Sequence, residues 1–189
     1  MISLPPLCAS LYVLLHAMDA AAAATVREAG CQRCGGSLHQ STYPRKPRGL
    51  PAGAGVEFKR PSFCCAVDGC RIRHTPPSVL FFGRKAYTSA VLVLCCSGRG
   101  DCSPNVMRRL RALFGVDPRT VMRWRAMWRV DLPQTSWWQI RRGLLPADVD
   151  PAGLPGAVLK HFGPLGDTQT WVAFLRWTEP LTTRSVRVL

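Results

Sequence analysis

Residues 103–128 read SPNVMRRLRALFGVDPRTVMRWRAMW, and the punctuation of this stretch decides how the chain is read. Ser103 caps a helix that Pro104 begins, since proline at the first helical position gives up an N–H that no helical carbonyl needs. Val106, Leu110 and Leu113 recur at helical spacing as the expected inner face. FGVD then breaks the period. Gly115 is expected at positive φ in a sharp turn, Asp117 caps a second helix, and Pro118 starts it. Val121, Trp124 and Trp128 form that helix's buried stripe. The product is two helices joined by a turn of three to four residues. The outer face of the second helix carries Arg119, Thr120 and Arg123, near the helix start, where side chains reach base edges in a major groove. Arginine pairs with guanine O6 and N7, and threonine meets a thymine methyl or a phosphate. Arg108, Arg109, Arg111, Arg125 and Arg129 would flank them as phosphate contacts.

The charge points the same way. The 189 residues carry 25 Lys plus Arg against 11 Asp plus Glu, a formal net charge of +14, and 21 of the 25 are arginine. Arginine's planar fork matches phosphate and guanine bidentately, so this choice suits nucleic acid better than solubility alone. The excess is local: residues 31–142 sum to +15, residues 1–30 to −1 and residues 143–189 to zero. The partner surface is expected in the middle stretch, the competing account being a solvated basic face. An apolar content of 47% excludes wholesale disorder. No uninterrupted apolar run reaches the roughly 18–20 residues of a membrane span, so no membrane partner is expected. No repeat period or heptad is present.

Nine cysteines are an odd number for a secreted disulfide scaffold. In a reducing, cytoplasmic setting their uses are metal binding and burial. CQRCGG, residues 31–36, sets Cys31 and Cys34 at ligand spacing, and Gly35 lets backbone amides approach sulfur without a Cβ clash. FCCAVDGC, residues 63–70, offers the second pair as Cys65 and Cys70, turned by Asp68 and Gly69. Cys64 lies one residue beyond the usual spacing to Cys70, so it is expected to point away along an extended strand. Four thiolates make a closed, tetrahedral, structural zinc site with no open position for catalysis. Such a site supplies on the order of 10 kcal/mol, which this core-poor segment lacks. Other donors compete: His39 or His74 in place of one thiolate, or Cys96 with Cys102 as the second pair. Cys95 and Cys96, however, end an apolar helical run, where thiols serve as core. A redox Cys-x2-Cys would follow a strand in a βαβ pattern that is absent.

Four regions follow. Residues 1–30 read as an amphipathic helix from about Ala9 to Ala24, with a signal peptide as the lesser alternative, since His16 and Asp19 interrupt the apolar stretch and no positive start precedes it. Residues 31–82 read as a zinc-ribbon-like module of short strands, with a Pro/Gly-rich basic loop, STYPRKPRGLPAGAG, expected to be extended and partly mobile. Arg45, Lys46, Arg48, Arg71 and Arg73 would place a second basic surface there. Residues 83–130 hold the apolar helix AYTSAVLVLCC and the helix pair. Residues 131–189 are Pro/Gly-punctuated, with short helices expected at SWWQIRRGLL and GAVLKHF and a final packed helix at TWVAFLRWTEPL. The fold class is therefore mainly α with a small β zinc ribbon.

The combination of Cys31, Cys34, Gly35, Cys65 and Cys70 with Gly115, Val116, Thr120, Val121, Arg123 and Trp124 resembles the N-terminal DNA-binding region of bacterial insertion-sequence transposases. YPRKPRG and CRIRHTPPSVLFFGRKAY look like stretches of small zinc-ribbon proteins encoded near mobile elements. The likeness covers roughly residues 31–130. It implies a zinc ribbon beside a helix-turn-helix and double-stranded DNA as partner. Such transposases continue into a ribonuclease-H-like domain whose three carboxylates hold two Mg²⁺ ions. Here only Asp131, Asp148, Asp150, Asp167 and Glu179 follow the helix pair, without alternating strands and helices. The expectation is a non-enzymatic, zinc-stabilised DNA-binding protein with no small-molecule substrate. It either directs a separate transposase or recombinase or represses its own promoter. Two alternatives stay open: an RNA-binding zinc ribbon that stacks bases on Tyr43, Trp137 and Trp138, and a protein-interaction module docking through TWVAFLRW.

Overall fold

The computed structural model describes residues 9–50, 58–82, 86–98 and 103–182. These residues are mainly helical, with small antiparallel sheets. The order is α1 (Ala9–Ala29), β1 (Leu38–Gln40), β2 (Tyr43–Arg45), β3 (Phe58–Arg60), β4 (Phe63–Cys65), β5 (Arg73–His74), α2 (Ser89–Cys96), α3 (Pro104–Phe114), α4 (Pro118–Ala126), α5 (Ser136–Arg142), α6 (Gly156–His161) and α7 (Thr168–Thr178).

Helix α1 runs five residues past the expected end and stops at Gly30, whose φ of 73° leaves the helical region. It is the one described helix long and apolar enough to cross a membrane by length and composition. Here it lies against protein: Leu11, Tyr12 and Leu15 enter the main core, and Ala23 and Val26 pack in a smaller second one. The main core gathers Val79–Phe82, α2, the inner face of α4, and Trp138, Leu154, Trp171 and Phe174 of the C-terminal third. The second core holds Ala23, Cys31, Leu38, Phe63 and Cys65.

The strands form two small antiparallel sheets, β1-β4-β5 and β2-β3, which make a short ribbon with one shared register. Leu38 pairs with Cys65 and Gln40 with Phe63, and the same register continues from Tyr43 opposite Arg60 to Arg45 opposite Phe58. The ladder breaks between these zones, beside Pro61, which has no N–H to donate. Ser41 N–H still reaches the Ser62 carbonyl at 2.8 Å. The basic segment expected as a mobile loop is thus strand as far as Arg45 and docked beyond it. Arg48 N–H donates to the Ala86 carbonyl at 2.8 Å, and Leu50 packs on the main core. Residues 51–55 of that expected loop lie outside the described residues.

One buried polar cluster ties these parts together. Asp19, 3% exposed in the middle of α1, accepts hydrogen bonds from the Ser78 hydroxyl and from Val79 N–H at 2.8 Å. Arg60 lies 3.8 Å from its carboxylate and donates to the Pro76 carbonyl at 2.8 Å. Burial raises the Asp19 pKa, against the lowering effect of these donors, and burial lowers that of Arg60.

Candidate metal centre and basic helical face

The two cysteine turns meet edge to edge. In the first, Gly35 N–H donates to the Cys31 carbonyl and Cys31 N–H to the Gly36 carbonyl, both at 2.8 Å, with Gly35 at φ 69°. A Cβ on Gly36 would collide with Val67 of the facing turn, so glycine there permits the close approach. In the second turn, Val67 N–H donates to Cys65 Sγ at 3.4 Å, and Gly69 takes φ 82°. The β1–β4 pairing fixes the two turns side by side, with Leu38 opposite Cys65.

The four sulfurs of Cys31, Cys34, Cys65 and Cys70 all lie within 4.8 Å of one another and could hold a metal ion. Cys31 to Cys70 is 3.7 Å and Cys34 to Cys65 is 3.5 Å. A tetrahedral ion with bonds to sulfur of about 2.3 Å needs edges of about 3.8 Å, so the donor set fits. The thiols are electrostatically divided. Cys31 is lowered to about 6, chiefly by the Arg33 amide. At Cys65 the Val67 amide pulls down, but burial and the neighbouring thiols push it up to about 12. Cys70 is also raised, burial and its neighbours outweighing the Ile72 amide. Four adjacent thiolates would need a cation among them, a role that a metal ion held there could fill.

Cys64 faces away, as expected. Its register partners are His39 on β1 and Arg73 on β5. His74 is not one of the four clustered donors; its Nε2 lies 3.3 Å from Cys31 Sγ, a hydrogen-bond distance for sulfur. His39 is exposed on the outer side. Cys95 and Cys96 are core thiols at 2% and 0% exposure, and Cys102 lies outside the described residues.

The helical hairpin is built as its punctuation predicts. Ser103 Oγ accepts from Val106 N–H at 3.4 Å, Gly115 has φ 62°, and Asp117 Oδ1 accepts from Arg119 N–H at 2.9 Å. The turn is pinned from below by Tyr87, whose hydroxyl donates to the Gly115 carbonyl at 3.0 Å and whose ring meets Trp124 edge-on at 5.1 Å. Val121, Trp124 and Trp128 are buried. The inner face of α3 is rotated from the expected one. Met107, Leu110 and Phe114 pack on the core, while Leu113 is 52% exposed. Phe114, next to the turn, goes inward and sets the rotation.

Arg119 and Arg123 are exposed on α4, and Arg123 Nη2 donates to Thr120 Oγ1 at 3.3 Å. Arg108, Arg109 and Arg111 are exposed on α3. Two expected phosphate contacts are corrected. Arg125 is 7% exposed and donates to the Gly98 carbonyl at 3.0 Å. Arg129 donates to the same carbonyl at 2.7 Å and to that of Leu154 at 3.2 Å. Gly98 lies two residues past α2, and Arg129 also reaches the carbonyl of Cys96, the last residue of that helix, at 3.4 Å, where carbonyls lack helical partners. On the ribbon, Lys46, Arg48 and Arg73 are exposed. Arg71 is paired with Asp68 at 2.9 Å, and Arg45 lies 5.3 Å over the Phe81 ring, half-buried. Sequence reasoning missed Asp19 and Arg60; an acidic residue inside an alanine-rich helix was the available signal.

Comparisons with protein-family models, with curated proteins and with solved structures return no match to this chain.

Proposed function

We propose that this chain is a zinc-stabilised, non-catalytic DNA-binding protein in which α3, the turn and α4 act as a helix-turn-helix. The observation that carries the reading is the division of α4: Val121, Trp124 and Trp128 are buried on one side, and Arg119, Thr120 and Arg123 stand outward near the helix start. That is where a second helix offers side chains to base edges. Arg108, Arg109 and Arg111 would hold phosphates beside it, with Lys46, Arg48 and Arg73 as a second basic surface. The four-cysteine cluster would hold Zn²⁺, which closes the second core and takes no part in chemistry. The transposase-like pattern of the residues makes a mobile-element role, alone or beside a separate transposase or recombinase, the context we propose.

The competing readings lose support. Trp138 is 1% exposed and Trp137 is half-buried, packed against Trp177 at 4.7 Å, which leaves Tyr43 as the exposed ring of that reading. Trp171, Phe174 and Leu175 of α7 are buried in the main core, not held out for docking. The test is selection from a randomised duplex pool with the native chain and with Arg119→Ala plus Arg123→Ala. The native chain enriches one sequence, and the double variant binds without that preference. An unchanged preference in the variant would refute the assignment of α4.

A further inference from the structure

Midway along α1 the side chains shrink to an uninterrupted alanine run, residues 20–24. The first half of the helix fills the main core and the end fills the second one. Between them Ala20, Ala23 and Ala24 line one side of an open cleft of about 470 Å³. That volume lies in the range of small-molecule sites. Pro61 and Phe63 form the opposite wall, and most of the lining is apolar.

The polar groups in the cleft are uneven in sign. Arg27 on α1 and Lys59 on β3 both line the cleft, with His16, Gln40 and Thr42. The one carboxylate, Asp19, is occupied at the back by the Ser78 hydroxyl and Val79 N–H, with Arg60 beside it. An apolar cleft with the Arg27 guanidinium in its lining fits a ligand with an apolar body and an anionic head. We propose that this cleft is a binding site for a small amphiphilic anion, an aryl or alkyl compound bearing a carboxylate, sulfonate or phosphate. The proposal is independent of the DNA-binding reading, because no residue of α3 or α4 lines the cleft.

The probe is 8-anilinonaphthalene-1-sulfonate, titrated by fluorescence into the folded full chain, with the uncharged N-phenyl-1-naphthylamine as its counterpart. The sulfonate saturates at one per chain and binds about 10-fold more tightly than the uncharged probe, the size of one charge-assisted contact. Ala20→Leu, which fills the cleft from an exposed helical position, weakens it about 10-fold or more. Arg27→Gln weakens the sulfonate but not the uncharged probe. Circular dichroism checks that both variants remain folded, and Ala24→Leu repeats the filling test independently. Equal affinity for both probes, absence of saturable binding, or unchanged binding in the two leucine variants would overturn the proposal.

Discussion

Replacing Asp19 by alanine removes a partner from four groups at once: the Ser78 hydroxyl, Val79 N–H, Leu80 N–H and the guanidinium of Arg60, which keeps the Pro76 carbonyl. Each orphaned buried group costs about 1–3 kcal/mol, and breaking a buried ion pair from one side costs about 3–5 kcal/mol. These overlap, so about 3–5 kcal/mol is expected in total, or roughly 10 °C in Tm for a chain of this size. Asp19→Asn keeps one acceptor for Val79 and should cost about half as much. The two variants also separate charge from shape. Burial raises the folded Asp19 pKa above its unfolded value, so the folded state binds the proton more tightly. Its stabilising share is fully present below the unfolded pKa and is lost as pH rises through the folded one. Urea unfolding from pH 4 to pH 7 should therefore show the native chain's advantage over Asp19→Asn shrinking as pH rises. A loss below about 1 kcal/mol in Asp19→Ala, or an advantage that grows with pH, would refute this account of the cluster.

The corrected arginines and the metal centre give further tests. Arg125→Met should cost about 1–3 kcal/mol in thermal or urea unfolding, because the Gly98 carbonyl loses a charged donor, and leave the salt dependence of duplex binding unchanged. Arg119→Gln with Arg123→Gln should do the reverse, lowering the salt slope by about 2 with little change in Tm. Elemental analysis of the purified chain should give one zinc per molecule, retained in Cys64→Ser and lost in Cys65→Ser. Gly115→Ala should lower stability by about 1 kcal/mol through backbone conformation alone, since φ is 62° and nothing lies within 4 Å of an added Cβ.

What was legible in the residues is what is local. Ser103, Gly115, Asp117 and Pro118 act on neighbours within four positions, so the hairpin could be read from its own punctuation. The Cys31–Cys34 and Cys65–Cys70 spacings likewise describe single turns, and the second core needs both brought together. Arg125 and Arg129 misled because exposure was inferred from charge. Their carbonyl partners on Cys96, Gly98 and Leu154 lie 25 to 33 positions away. Asp19 and Ser78 are 59 positions apart, and no periodicity in α1 signals such a bond. The ribbon register was hidden for the same reason: strands of three residues carry no alternation long enough to read. The inner face of α3 turned on Phe114, which the spacing of Val106, Leu110 and Leu113 passed over.

The most direct measurement is fluorescence anisotropy of the full chain on a duplex DNA pool across a salt series, with and without a zinc chelator. Five exposed arginines on α3 and α4 predict a log–log slope of about −4 or steeper, at about 0.9 per phosphate neutralised. The account predicts that slope together with loss of binding in chelator. No duplex binding at low salt would contradict it outright, and tight binding unaffected by chelation would remove zinc from it.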